Sequence, residues 1–288
     1  MLKDEIDSLA PSRDFSRRSF VQTTVGSGFA AAVLPVTAQT IATDSNGLDA
    51  GPVTIAVGDF QMPAFRAQPA HPTGKLPVVL VASEIFGVHE HIADVCRRFA
   101  KQGYLAIAPD LFARHGNASA YTDIPKLISE VVSKATDAQV NGDLDATLAW
   151  AAAHGGDSAR LGITGFCWGG RTTWLYTAHN PAVKAAVAWY GPVARAYHPG
   201  DKTIIELAPS IKAPVLGLYG AADGGIPVET LNQLEGALKG NGNARCEFIV
   251  YPDTPHAFFA DYRPSYRPEA AQDGWKRCLS WFKKNNVA

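Results

Sequence analysis

A series of short apolar runs, separated by segments of helical period, constrains this chain more than any other feature. Val78-Val79-Leu80-Val81-Ala82, Leu105-Ala106-Ile107-Ala108, Leu161-Gly162-Ile163-Thr164, Ala185 to Tyr190, Val215 to Tyr219 and Phe248-Ile249-Val250-Tyr251 are nearly free of polar residues. A strand that is apolar on successive residues needs cover on both faces, which a parallel sheet flanked by helices provides. The intervening segments supply those helices. Ile92 to Gln102 gathers Ile92, Val95, Cys96 and Phe99 on one side, Leu144, Leu148 and Trp150 help mark a second amphipathic segment, and Thr230 to Leu238 and Trp275 to Phe282 add two more. Upstream, Val53 to Val57 alternates as a half-buried edge strand does, with Met62 to Arg66 as its hairpin partner. Repeated strand-helix-strand order requires right-handed crossovers, so the sequence predicts an α/β fold with a single, mainly parallel sheet of about eight strands flanked by helices.

Charge and cysteine usage narrow the function classes. The 288 residues carry 26 Lys plus Arg against 27 Asp plus Glu, a net charge of −1. A nucleic-acid binder that works through a basic field is excluded on that balance. The cysteines at 96, 167, 246 and 278 form no C-x-x-C and no repeating Cys/His spacing, which argues against a structural zinc site or a dithiol redox pair. His89, His91 and His115 lack matched carboxylates at helical spacing, so no metal and no organic cofactor is expected.

The first residues read as an address. Ser16-Arg17-Arg18-Ser19-Phe20-Val21 precedes a mildly apolar stretch to Val36, and Val36-Thr37-Ala38 offers small residues suited to a signal peptidase. This resembles a twin-arginine export signal. Gly26, Gly28, Thr23, Thr24 and Pro35 interrupt the stretch, which is too short and too polar for stable membrane insertion. Residues 1–42 are therefore assigned to signal and linker, with the twin-arginine translocation machinery as partner and a periplasmic or otherwise exported destination. Residues 43–288 form the remaining unit. Loss of residues 1–38 would remove four basic residues (Lys3, Arg13, Arg17, Arg18) and four acidic ones (Asp4, Glu5, Asp7, Asp14), leaving the charge unchanged. In an oxidising compartment Cys246 and Cys278 could pair.

In a parallel sheet the chemistry collects in the loops at the carboxyl ends of the strands. Glu84, Cys167, Asp223 and His256 all fall there. Gly165-Phe166-Cys167-Trp168-Gly169-Gly170 follows one strand and opens the helical run Arg171 to Ala178, the form of a nucleophile elbow with sulfur in place of oxygen. The glycines suit a turn so sharp that the next helix is pressed against the strand. A thiol at a helix N-terminus also lies at the positive end of the helix dipole, which favours thiolate. Asp223 follows the strand Val215 to Tyr219, and His256 follows Phe248 to Tyr251. Nucleophile, acid and histidine thus come in the order this elbow predicts, with Asp253 as the nearest competitor for the acid. Acyl transfer further needs an oxyanion site, for which the N–H groups of Trp168 and Ile85 are the candidates.

Read together, Glu84-Ile85-Phe86-Gly87, Ala108-Pro109-Asp110-Leu111-Phe112, the cysteine elbow, Tyr190-Gly191, Gly220 to Asp223 and His256-Ala257-Phe258 resemble the dienelactone hydrolase (carboxymethylenebutenolidase) family. The resemblance runs from about residue 51 to the C-terminus and implies an α/β-hydrolase fold. It implies that Cys167 is acylated, that Asp223 and His256 complete a triad, that Glu84 couples substrate binding to thiol deprotonation, and that Tyr190 lines the pocket. The expected activity is hydrolysis of a small ester or lactone through a thioester. The alternatives are a broader carboxylesterase or thioesterase on neutral esters and a non-catalytic binding or redox-sensing protein. Family members that cleave dienelactones hold the substrate carboxylate with arginines, one of them shortly after the histidine. Here Ala257-Phe258-Phe259-Ala260-Asp261-Tyr262 intervenes before Arg263.

Overall fold

Leu48–Val57 (β1) and Phe60–Pro69 (β2) pair antiparallel along their whole length through the tight turn at Gly58. The computed structural model describes residues 41–288, so the twin-arginine segment and its small-residue end lie outside the described residues. Leu76–Ala82 (β3), Leu105–Pro109 (β4), Gly156–Phe166 (β5), Val183–Trp189 (β6), Val215–Gly220 (β7) and Glu247–Tyr251 (β8) complete one eight-stranded sheet in the order β1-β2-β4-β3-β5-β6-β7-β8. From β4 to β8 every pairing is parallel. Each pairing is stitched through a helical crossover, as the apolar runs require.

The helices are Glu90–Lys101 (α1), Ile124–Glu130 (α2), Asp137–Ala153 (α3), Trp168–His179 (α4), Ile204–Leu207 (α5), Val228–Gly240 (α6) and Pro268–Lys284 (α7). Two glycines of β5 show how they cover both faces. Positions 162 and 165 are an odd number of residues apart and so face opposite ways. A Cβ on Gly162 would lie 3.0 Å from Val287 and 3.1 Å from Phe282 beside α7, whereas one on Gly165 would lie 2.2 Å from the carbonyl oxygen of Gly169 in α4. On the α7 side Phe99 of α1 packs against Trp275 with ring centres 4.6 Å apart. On the α4 side Tyr176 donates to Asp145 of α3 at 2.9 Å, and the buried Arg171 grips Asp137 through two bonds of 2.7 and 2.8 Å.

Two expectations need correction. β8 is not sealed on both faces: it is the sheet edge, with Glu247 exposed and Phe248 to Tyr251 half-buried. An apolar run at the edge of a parallel sheet reads like one at the centre because covering helices still shield part of it. Nor do Cys246 and Cys278 pair. Both are free, buried thiols. Cys246 approaches the Ala213 carbonyl at 3.9 Å, while Cys278 is fully enclosed on the inner face of α7 beside Thr164.

Candidate active site

The elbow is built by close backbone approach. A Cβ on Gly169 would stand 2.2 Å from the Ala82 carbonyl oxygen, and one on Gly170 would stand 2.4 Å from that of Trp189. With Gly165 already against Gly169, all three glycines of the motif are required by contact with neighbouring backbone. The start of α4 is thereby wedged between the ends of β3 and β6. Cys167 takes up the turn with φ of 55°, in the left-handed region that side chains avoid, and its N–H donates to the Trp189 carbonyl at 3.0 Å. It caps the N-terminus of α4 and is 4% exposed.

The Asp223 and His256 loops are pressed together in the same manner. A Cβ on Gly220 would meet the Thr254 carbonyl oxygen at 2.1 Å, and Ala222 N–H donates to that same oxygen at 3.0 Å. His256 Nδ1 lies 2.6 Å from Asp223 Oδ2, and because a carboxylate only accepts, Nδ1 carries the proton. The other Asp223 oxygen accepts from Gly225 N–H at 3.0 Å. Burial works to lower the His256 imidazole, but the Asp223 carboxylate and the neighbouring Cys167 sulfur outweigh it and hold the ring well above its ordinary value of 6.5. Nε2, the nitrogen left for the thiol, is buried without a hydrogen bond of standard geometry. Such contacts commonly tighten only when substrate is bound. Asp253, the competing acid, is exposed and forms the turn of the loop with φ of 49°.

Gly169, next to Trp168, touches the end of β3, where a Cβ would also stand 2.5 Å from the carbonyl oxygen of Ser83, two residues before Ile85. Among the described residues no backbone carbonyl accepts from the N–H of Ile85 or Trp168. Glu84 is 1% exposed and Tyr190 is fully buried, its ring edge-on to His256 at 5.0 Å. Burial first, then the Glu84 charge, keeps the Tyr190 phenol protonated far above its ordinary range, with Tyr262 and Cys167 adding to the effect. Trp174 and Trp189 belong to the core, and Trp168 packs on Phe112 at 4.6 Å.

Two residues that the sequence reading left out of the site are in it. Ala260 N–H donates to Ala257 O, Arg263 N–H to Ala260 O and Tyr266 N–H to Arg263 O, while Arg267 N–H returns to Phe258 O, so successive turns coil the segment after His256 back on itself. The coil delivers Tyr262 and Arg263 to Glu84. Tyr262 Oη donates to Glu84 Oε2 at 2.5 Å, and Arg263 Nη1 stands 3.6 Å from Glu84 Oε1. The Arg263 guanidinium also lies over the Phe86 ring at 5.6 Å. Burial opposes its charge, but Glu84, Tyr262, Cys167 and Tyr190 together favour it and raise it above its ordinary value. No local pattern announces this pair; only the coiling of the loop brings it in. The histidines of the sequence reading go elsewhere. His89 and His91 stack at 6.1 Å behind Tyr262, and His115 bonds Gln139 at 2.6 Å. Among the described residues no three His, Cys, Asp or Glu side chains are arranged to hold a metal.

A parallel sheet with a cysteine elbow, an Asp-bound histidine and a buried carboxylate at the strand ends defines an α/β-hydrolase fold. Comparison with known proteins narrows the class. The sequence pattern of the Dienelactone hydrolase family matches residues 62–286, and the chain belongs to that family. It is 57% identical to a protein of Methylorubrum extorquens named "Putative carboxymethylenebutenolidase", over 99% of this chain and 98% of that one. An Escherichia coli K12 protein of the same name is 51% identical over 91% of this chain and 97% of its own. The crystal structure of a "Putative Dienelactone Hydrolase" from Klebsiella pneumoniae superposes with a TM-score of 0.80 at 54% identity, covering 82% of this chain and 99% of that one. The chain is thus a carboxymethylenebutenolidase-like hydrolase.

Proposed function

We propose that this hydrolase cleaves a small ester or lactone through a thioester on Cys167. In this reading the Cys167 sulfur attacks the carbonyl carbon, the thiol proton passes by way of Glu84 to His256 Nε2, and the Ile85 and Trp168 N–H groups stabilise the oxyanion. His256 protonates the leaving oxygen and then activates water to release the acid, while Asp223 fixes its tautomer. Tyr190 forms part of the pocket wall. The observation that carries the reading is the strained Cys167 at the N-terminus of α4 beside an imidazole bonded to Asp223.

The buried Arg263 supports an anionic substrate over a neutral one. It lies near both Glu84 and Cys167 and can hold a carboxylate two-pronged once Glu84 yields. The chain is further proposed to be exported through the twin-arginine route on the strength of Ser16 to Ala38. Replacing Cys167 by Ala is expected to abolish hydrolysis of p-nitrophenyl acetate, and mass spectrometry of the wild type with a slow ester is expected to show the acyl group on the Cys167 peptide. Turnover retained by the pure Ala variant would sink the reading.

A further inference from the structure

Glu84 is gripped at both carboxylate oxygens by consecutive residues of the segment that follows His256. Tyr262 Oη donates to Oε2 at 2.5 Å and Arg263 Nη1 faces Oε1 at 3.6 Å. The two grips differ in kind. The arginine contact is longer than a hydrogen bond, whereas the phenol contact is short and directional. The phenol is also held in place from behind. The His89 ring meets Tyr262 edge-on at 5.0 Å and the His91 ring tilts against it at 5.1 Å. His91 is itself fixed by Asp261 at 3.0 Å.

The shorter of two contacts at the phenol is the one to Glu84. His89 Nε2 lies 3.5 Å from Tyr262 Oη, a full ångström farther than Glu84 Oε2. Burial, with His91 and Arg263 nearby, pushes the His89 imidazole down to about 3, so it stays neutral and adds no competing charge. Burial and the Glu84 charge keep the Tyr262 proton in place far above pH 10. Tyr262 is therefore a permanent donor aimed at the carboxylate, and Glu84 is joined by one peptide bond to Ile85.

We infer that Tyr262 is a positioning residue: its hydroxyl holds the Glu84 carboxylate in the orientation needed to accept the Cys167 proton, and through the adjoining peptide it sets the Ile85 oxyanion donor. This rests on the proposed role of Cys167 and Glu84. The groups that interact with Glu84 are Tyr262 and Arg263 from the histidine segment and Tyr190 from the end of β6, and each of these three also feels the charge of Cys167 in the elbow. Of these, only the Tyr262 hydroxyl can be removed without altering a charge or the nucleophile while also leaving a known acceptor bare.

The test is the pH dependence of kcat/KM for p-nitrophenyl acetate in Tyr262→Phe, with Cys167→Ala and Glu84→Gln beside it. A donor to a carboxylate favours its charged form, so its loss moves the acid limb to higher pH, by about one unit, and lowers kcat about tenfold with KM within about twofold. Tyr262→Phe combined with Glu84→Gln is expected to be no slower than Glu84→Gln alone. Incorporation of 3-fluorotyrosine at 262 keeps the ring shape and strengthens the donor, so the acid limb moves to lower pH; this arm stays readable if the Phe variant does not fold. An unmoved acid limb in both 262 variants, with Cys167→Ala inactive, overturns the inference alone. Activity surviving in Cys167→Ala overturns the catalytic reading beneath it, and the inference with it.

Discussion

At the scale of single residues the candidate site is a small set of charges enclosed in a core, and Arg263 is the proposed reader of substrate charge. The guanidinium is buried beside Glu84, Tyr262, Tyr190 and Cys167, so a substrate carboxylate that reaches it gains a charge-assisted contact at low dielectric. Arg263→Gln keeps a polar, planar end and removes the charge. The ratio of kcat/KM for an anionic lactone to that for a neutral p-nitrophenyl ester is expected to fall by about 10²-fold, measured on one enzyme preparation. An unchanged ratio would remove Arg263 from substrate recognition. The sequence pointed to Cys167, Asp223 and His256, which the structure brings to neighbouring strand ends, because each sits directly after a strand, where position alone implies the loop. Arg263 and Tyr262 gave no such sign, since the turns from Ala257 to Arg267 that bring them home are neither strand nor helix.

The next scale is the element, and here the segment after His256 does more than extend the histidine loop. Asp261, with a side chain fully enclosed, bonds His91 at 3.0 Å and Arg98 at 2.9 Å, which anchors the coil to α1. Burial raises its pKa, but His91 and Arg98 outweigh that and bring it below its ordinary 3.8. A depressed carboxyl adds stability above its unfolded pKa and loses it as the pH falls through the folded value. Asp261→Asn leaves Arg98 with Asp94 as its remaining carboxylate and is expected to cost about 3 kcal/mol in urea unfolding near pH 7. The gap between wild type and variant is expected to hold from pH 7 to about 5 and to narrow below about 3.8. A gap that widens in acid would mean that the carboxyl is not ionised in the folded protein. Helices and strands were legible because burial imposes a period; the exposure of β8 was not, because strand order in the sheet is absent from a local pattern.

For the whole molecule, the parallel direction of the central strands and the crossovers followed from the apolar runs and their spacing, and the β1–β2 hairpin from the alternation upstream of them. The fate of Cys246 and Cys278 did not, because it depends on which side of the sheet each element packs. With Cys96, these thiols are buried and free, so the folded chain needs no oxidation to be complete. That suits a protein carried across a membrane after folding. The proposed export rests on Arg17 and Arg18, whose planar guanidinium groups lysine does not reproduce. Expression of the full chain in a bacterium with a twin-arginine system is expected to give a periplasmic product cut after about residue 38. The Arg17→Lys, Arg18→Lys variant keeps the charge of the segment and changes only its shape. It is expected to remain in the cytoplasm at full length with wild-type esterase activity in the lysate, because nothing in residues 41–288 is altered. Periplasmic recovery of that variant, or an uncut wild type confined to the cytoplasm, would remove the export assignment while leaving the hydrolase untouched.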